Sequence, residues 1–275
     1  MFQKYRLTPF IKYQKYISAV SIFVFIAGCS APRGQNSWGE DSSLSMNRKM
    51  LAKAAYDALV DPQTYIPAAG AIIFIIDDLD RRVSDRLSSD NPVFGSQANA
   101  SNYSDFMLCA LIGETVITGL SVPGDSNFYH RDTGIAKGLI LEGAGIGGSA
   151  GIAGILESTI HRRRPNGNPD SFPSVHASAS FAASTMSNRN LDSINMSHGI
   201  RTALQVGNIL LASSVAWARV EARKHFPSDV LAGAALGHFV SAFIYDGFMN
   251  QDDDKFGFMV LPYEHGIVFN LGGQF

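Results

Sequence analysis

Cysteine is scarce in this sequence: the 275-residue chain has two, Cys29 and Cys109. That excludes a cysteine-based metal site and, if Cys29 serves as an anchor, any internal disulfide. Cys109 stands in the apolar stretch FMLCALIG, where a small buried hydrophobe is expected rather than a reactive thiol. Charge is scarce too. Charged residues make up 17%, and the balance is a net −2. No basic field covers the chain, so nucleic-acid binding is not suggested. Long unbroken apolar runs are also missing beyond the N-terminus. A span needs about 18 such residues, and Glu114, Glu142, Gln205, Asn208 and His238 interrupt the candidates. These segments read as buried core helices rather than membrane spans.

What is present begins with the N-terminus. Lys4, Arg6, Lys12 and Lys15 precede the apolar run ISAVSIFVFIAG, and Cys29 follows. A basic segment followed by a short apolar core reads as a secretory signal. Ile26-Ala27-Gly28-Cys29 resembles the lipobox of bacterial lipoproteins, which implies cleavage before Cys29, a lipid on its thiol and an envelope protein facing the periplasm. By the same resemblance, Ser30 favours the outer membrane. The expected organisation is a signal at 1–28, a flexible Ser- and Gly-rich tether at 29–46, a domain at 47–248 and a tail at 249–275.

The domain reads as all-α, with about six or seven helices, several opened by Ser, Thr or Asp where an N-cap sits. The spacing predicts one helix through TYIPAAGAIIFIIDDLDRRVSDRL. The tail has two apolar runs around PYEHG, a β-hairpin pattern expected to pack on the helices.

Chemistry concentrates in two stretches. In HRRRPNGNPDSFPSVHAS, Ser174 is an N-cap, and Val175 and His176 fall in the first helical turn. Free amides and the positive dipole end there suit an oxyanion. In WARVEARKHFPSDVLAG, Arg219, His225 and Asp229 follow one another at spacings of six and four. Pro227 ends the preceding helix and a new one starts near Ser228. Asp229 in its first turn is within reach of the His225 imidazole, where a carboxylate would fix the tautomer; it also suits a helix cap. His161, His176 and His225 lack a metal-ligand spacing such as HExxH, and arginines around them repel cations.

Taken together, Arg164-Pro165, Pro173-Ser174-Val175-His176 and Arg219-x5-His225-x3-Asp229 resemble the three-part signature of the type 2 phosphatidic acid phosphatase (PAP2) and vanadium haloperoxidase superfamily. Its pattern is Lys-x6-Arg-Pro, Pro-Ser-Gly-His and Ser-Arg-x5-His-x3-Asp. The resemblance implies a helical bundle and a phosphatase that uses no metal or cofactor and takes vanadate as an inhibitor or phosphate mimic. It implies His225 as nucleophile, Asp229 as its orienting partner and His176 as proton donor. Arg164, Ser174, Val175 and Arg219 would hold the phosphoryl oxygens of a lipid or small-molecule substrate. Three positions depart: Glu157 stands where the pattern has Lys, Val175 where it has Gly, and Ala218 where it has Ser. Arg162 or Arg163 is expected to replace the missing Lys charge. The departures leave a second possibility, a weakened or inactive binding or scaffold module at the envelope.

Overall fold

The computed structural model describes residues 48–76, 78–122, 128–249, 256–263 and 266–273. The signal segment, Cys29 and the tether lie outside them. Eight α-helices are present among the described residues: α1 (Arg48–Val60), α2 (Pro62–Ile76), α3 (Leu79–Asp90), α4 (Gln97–Ser121), α5 (Phe128–Ile160), α6 (Val175–Ser193), α7 (His198–Glu221) and α8 (Pro227–Ile244). A π-turn, Tyr245–Met249, extends α8. The fold is all-α as expected, with one more helix than the upper expectation. The segment predicted as one helix breaks around Asp78, whose φ of 50° is left-handed backbone that no helix continues through. Beyond the bundle, β1 (Phe256–Tyr263) and β2 (Gly266–Gly273) pair antiparallel. Their side chains, and so the expected packing of the tail on the helices, lie outside the described residues.

Helix α6 is the axis of the bundle. Its sequence is built from Ala and Ser, and Ala177, Ser178, Ala179, Ser180, Ala182 and Ala183 are all buried. Small side chains let neighbouring backbones come close, where dispersion and polar contacts replace large aliphatic packing. Gly233 and Gly237 of α8 carry this furthest: a Cβ at either would collide with the α6 backbone, at the Ser174 and Ser178 carbonyls respectively. Larger residues pack at two levels along the axis. Leu141, Met186, Leu191, Tyr245 and Met249 pack at its C-terminal end, and Met107, Leu111 and Val215 beside its middle.

The outside of the bundle corrects two expectations. Among the described residues three helices are long and apolar enough to cross a membrane: Gln97–Ser121, Gly134–Ile160 and Pro227–Met249, or four if the bent pair α1 and α2 counts as one. The polar residues that interrupt them turn inward. Glu142 is buried and accepts from Asn190, and Glu114 accepts from the Ser187 hydroxyl. The outer faces keep exposed isoleucines, among them Ile72, Ile73, Ile76, Ile140, Ile152 and Ile155. Intramembrane polar groups face the bundle interior for this reason, and a test for purely apolar runs misses such spans. Cys109 is exposed rather than buried. It lies on α4, whose apolar residues include an outward face, and periodicity alone does not separate a lipid-facing position from a core one. The bundle is therefore read as a membrane protein.

Candidate active site

The chemistry gathers where α5 and α7 end and α6 and α8 begin. Helix α7 stops at Glu221, which is buried. It accepts from the Trp217 indole (2.8 Å) and from the amides of Val93 (3.1 Å) and Phe94 (3.2 Å). That carboxylate fastens the α3–α4 connection to α7 and brings the first turns of α4 beside Arg219. The chain then turns tightly through Arg223, at a left-handed φ of 56°. The amides of Lys224 (3.1 Å) and His225 (3.3 Å) both donate to the Arg219 carbonyl. Arg219, Lys224 and His225 are thus held in one turn.

His225 is 1% exposed. Its Nδ1 lies 2.8 Å from the Ser171 carbonyl oxygen. A carbonyl only accepts, so Nδ1 carries the proton and Nε2 keeps its lone pair. Burial, then the charge of Arg219, holds the imidazole well below its ordinary pKa, in the neutral form. The expected partner, Asp229, is not within hydrogen-bond distance: its Oδ2 stands 4.0 Å from Nδ1. The carboxylate is taken by other donors. It accepts from the Phe226 amide (2.7 Å), the Ser171 hydroxyl and Arg162 Nη1 (2.6 Å). Asp229 caps its own helix and fixes Ser171, and Ser171 in turn orients His225. Ser171 is the link the sequence did not show, because it acts through a carbonyl that every residue has.

On the other side of the turn, Ser174 caps α6, its Oγ accepting from the Ala177 amide at 3.3 Å, and its own amide donates to the Asp229 carbonyl at 2.9 Å. The Ser-Val-His turn and the His-x3-Asp turn are therefore joined directly. Val175 takes the first helical position, half-buried. His176 Nε2 is 2.9 Å from Asp105 Oδ1. Burial and then the Arg219 charge lower its pKa to about 4. Asp105, on α4, has no motif and lies 71 positions away in sequence; nothing local marked it.

Arg219 is buried, and burial lowers its pKa to about 10. Its Nη1 donates to Ser104 Oγ (3.2 Å) and faces Asp105 at 3.5 Å. Its Nε has no partner among the described residues. Arg164 donates from Nε to the Asp170 carbonyl (2.7 Å) and from Nη2 to Glu157 (3.1 Å). The carboxylate that replaces the pattern's Lys thus meets the pattern's Arg.

The expected stand-ins for that Lys are placed elsewhere. Arg162 donates to Asp229, to Ser228 Oγ (2.7 Å) and to Asp80 Oδ2 (2.7 Å), and lies over the Phe226 ring at 4.5 Å. Asp80 also accepts from the Ser228 amide (2.8 Å) and hydroxyl. Arg162 therefore answers two carboxylates, and its charge is matched. Arg163 is exposed and borders the same hollow as Arg162, Asp80 and Phe226.

Comparison with known proteins gives three likenesses. The sequence model of the PAP2 superfamily matches residues 140–253, which hold all three motifs. A lipid A 1-phosphatase of Porphyromonas gingivalis is 26% identical over 140 residues, a match that spans 50% of this chain and 28% of that protein. Among solved structures, the transmembrane PAP2-type phosphatidylglycerolphosphate phosphatase of Bacillus subtilis superposes with a TM-score of 0.50 at 18% identity. That likeness covers 71% of this chain and 94% of the other, and it concerns the fold alone.

Proposed function

We propose that this protein is a membrane phosphatase that hydrolyses a phosphomonoester or pyrophosphate carried by a lipid, through a phosphohistidine on His225. One observation carries the reading. A buried histidine with its Nδ1 proton committed to Ser171 presents a free Nε2 lone pair beside Arg219, a buried arginine with an unpartnered Nε. A buried, incompletely bonded cation is costly unless an anion completes it. The lipid substrate follows from position: the site lies at the ends of two spanning helices, Gly134–Ile160 and Pro227–Met249, where headgroups sit.

In the proposed reaction, His225 Nε2 attacks phosphorus and the ester P–O bond breaks. The leaving oxygen takes a proton from His176. Water then attacks the phosphorus, the P–N bond breaks, His176 takes the water's proton, and inorganic phosphate leaves. Arg164, Arg219, Ser174 and the Val175 amide hold the phosphoryl oxygens, which supplies the positioning and charge stabilisation that phosphoryl transfer needs. The phosphate's own charge would counter Arg219 and raise His176 toward its acid form. No metal or cofactor enters this scheme, and vanadate would inhibit by mimicking phosphate. A lipid on Cys29 would add an anchor at the periplasmic side of the envelope; loss of a fatty-acid label in Cys29→Ala tests it.

The Glu157–Arg164 pair favours a second reading, a weakened or inactive module. A phosphate-release panel of lipid and soluble esters separates the two. The proposal expects release from at least one lipid phosphate and none from His225→Ala. Release that persists in His225→Ala would overturn it, and no release from any substrate would favour the second reading.

A further inference from the structure

The site needs a cation where the pattern has Lys and this chain has Glu157. Neither Arg162 nor Arg163 is placed to supply it. Lys224 is. It immediately precedes His225, and the two share the Arg219 carbonyl through their amides. Its side chain is half-buried. Among the described residues it has no hydrogen bond or ion pair of its own. Its charge bears on Arg219, Arg164 and His176, and Asp105 partly offsets it. Asp105 already serves His176 at 2.9 Å and Arg219 at 3.5 Å. Burial, and then repulsion from Arg219, pulls the ammonium below its ordinary pKa. Around His225, Arg164 is paired with Glu157, Arg219 shares Asp105 with His176, and Asp229 is met by Arg162, which leaves Lys224 as the cation whose side chain has no partner among the described residues.

We propose that Lys224 binds the substrate's phosphoryl oxygens, supplying from the nucleophile's own turn the charge that Glu157 removes from the end of α5. This rests on the phosphatase reading above. An ammonium there is compact and mobile and serves a phosphate as a point charge. Glu157, paired with Arg164, then acts as an internal counter-ion rather than as a barrier to phosphate.

The test uses the full chain in detergent micelles, with a lipid phosphate as substrate and orthovanadate as inhibitor. Lys224→Met and Lys224→Gln should each weaken vanadate inhibition and lower kcat/KM by about 10- to 100-fold, the range of one charge-assisted hydrogen bond. Lys224→Arg should retain most of both. Unchanged thermal unfolding shows that the loss is not misfolding. Values within two-fold of wild type for Lys224→Met and Lys224→Gln, with His225→Ala inactive, would overturn the role of Lys224 and leave the phosphatase reading standing. If the wild type turns over no ester, the phosphatase reading fails. Vanadate binding followed by thermal shift then decides Lys224 alone: equal shifts in wild type and Lys224→Met would refute it, and a shift lost in Lys224→Met would support it.

Discussion

Two arginine clusters flank the His225 turn, and they differ in one respect. Around Arg162, the guanidinium meets Asp80, Ser228 and Asp229, and both carboxylates receive further donors. Around Arg219, the guanidinium is more deeply buried yet keeps an open Nε, with a half-exposed Asp105 shared at 3.5 Å. The first cluster is complete without a ligand and the second is not. A buried charge whose bonds are met is a fastening; one whose bonds are unmet is a place for an anion.

That contrast can be broken from either side. The largest effect on the folded state is expected from Arg162→Met, which leaves Asp80 and Asp229 without their cation. Removing one partner of a buried pair costs about 3–5 kcal/mol, read as a lowered midpoint of thermal unfolding. Activity should fall only because less protein is folded. Arg219→Met should do the reverse. Loss of a donor to a developing oxyanion costs about 10²–10³ in rate, while thermal stability should hold or rise because an under-bonded buried cation has gone. If Arg219→Met unfolds the protein and Arg162→Met does not, the two roles have been assigned the wrong way round.

A smaller effect concerns pH. His225 has its pKa lowered in the folded state by burial. The unfolded chain therefore binds the proton first, and stability is complete above about pH 6.5 and falls as pH drops below it. The slope from one such group is at most about 1.4 kcal/mol per pH unit, and His176, lowered to about 4, adds in the same direction. The unfolding midpoint of His225→Asn should decline less between pH 7 and 5 than that of wild type. The smallest effect is expected from Arg163→Ala. An exposed arginine outside both clusters should change stability by no more than about 0.5 kcal/mol and leave turnover unaltered.

The difference between the clusters also marks what could be read in the sequence. The residues of the open cluster sit in motifs with fixed spacing, so Arg164, Ser174, His176, Arg219 and His225 were legible, as was the helical bundle. The closed cluster depends on Asp80, which lies 82 positions from Arg162 and belongs to no motif. Without it, Arg162 looked like a free charge next to Arg164. The link from Asp229 to His225 runs through Ser171, whose backbone carbonyl carries no mark in the sequence. Lys224 stands beside His225 in sequence, but it takes the turn at Arg223 to bring it among the charges of the site. The membrane spans were hidden for a different reason. Glu114 and Glu142 break the apolar runs in sequence, yet in space they point inward and leave the outer faces apolar.

The central claim, that the open cluster serves a nucleophilic His225, is tested most directly by trapping the intermediate. Wild-type protein mixed briefly with a lipid phosphate, quenched in alkali and digested should give a peptide carrying one phosphoryl group on His225. Turnover without phosphate on any histidine, or with phosphate on a residue other than His225, would contradict the account.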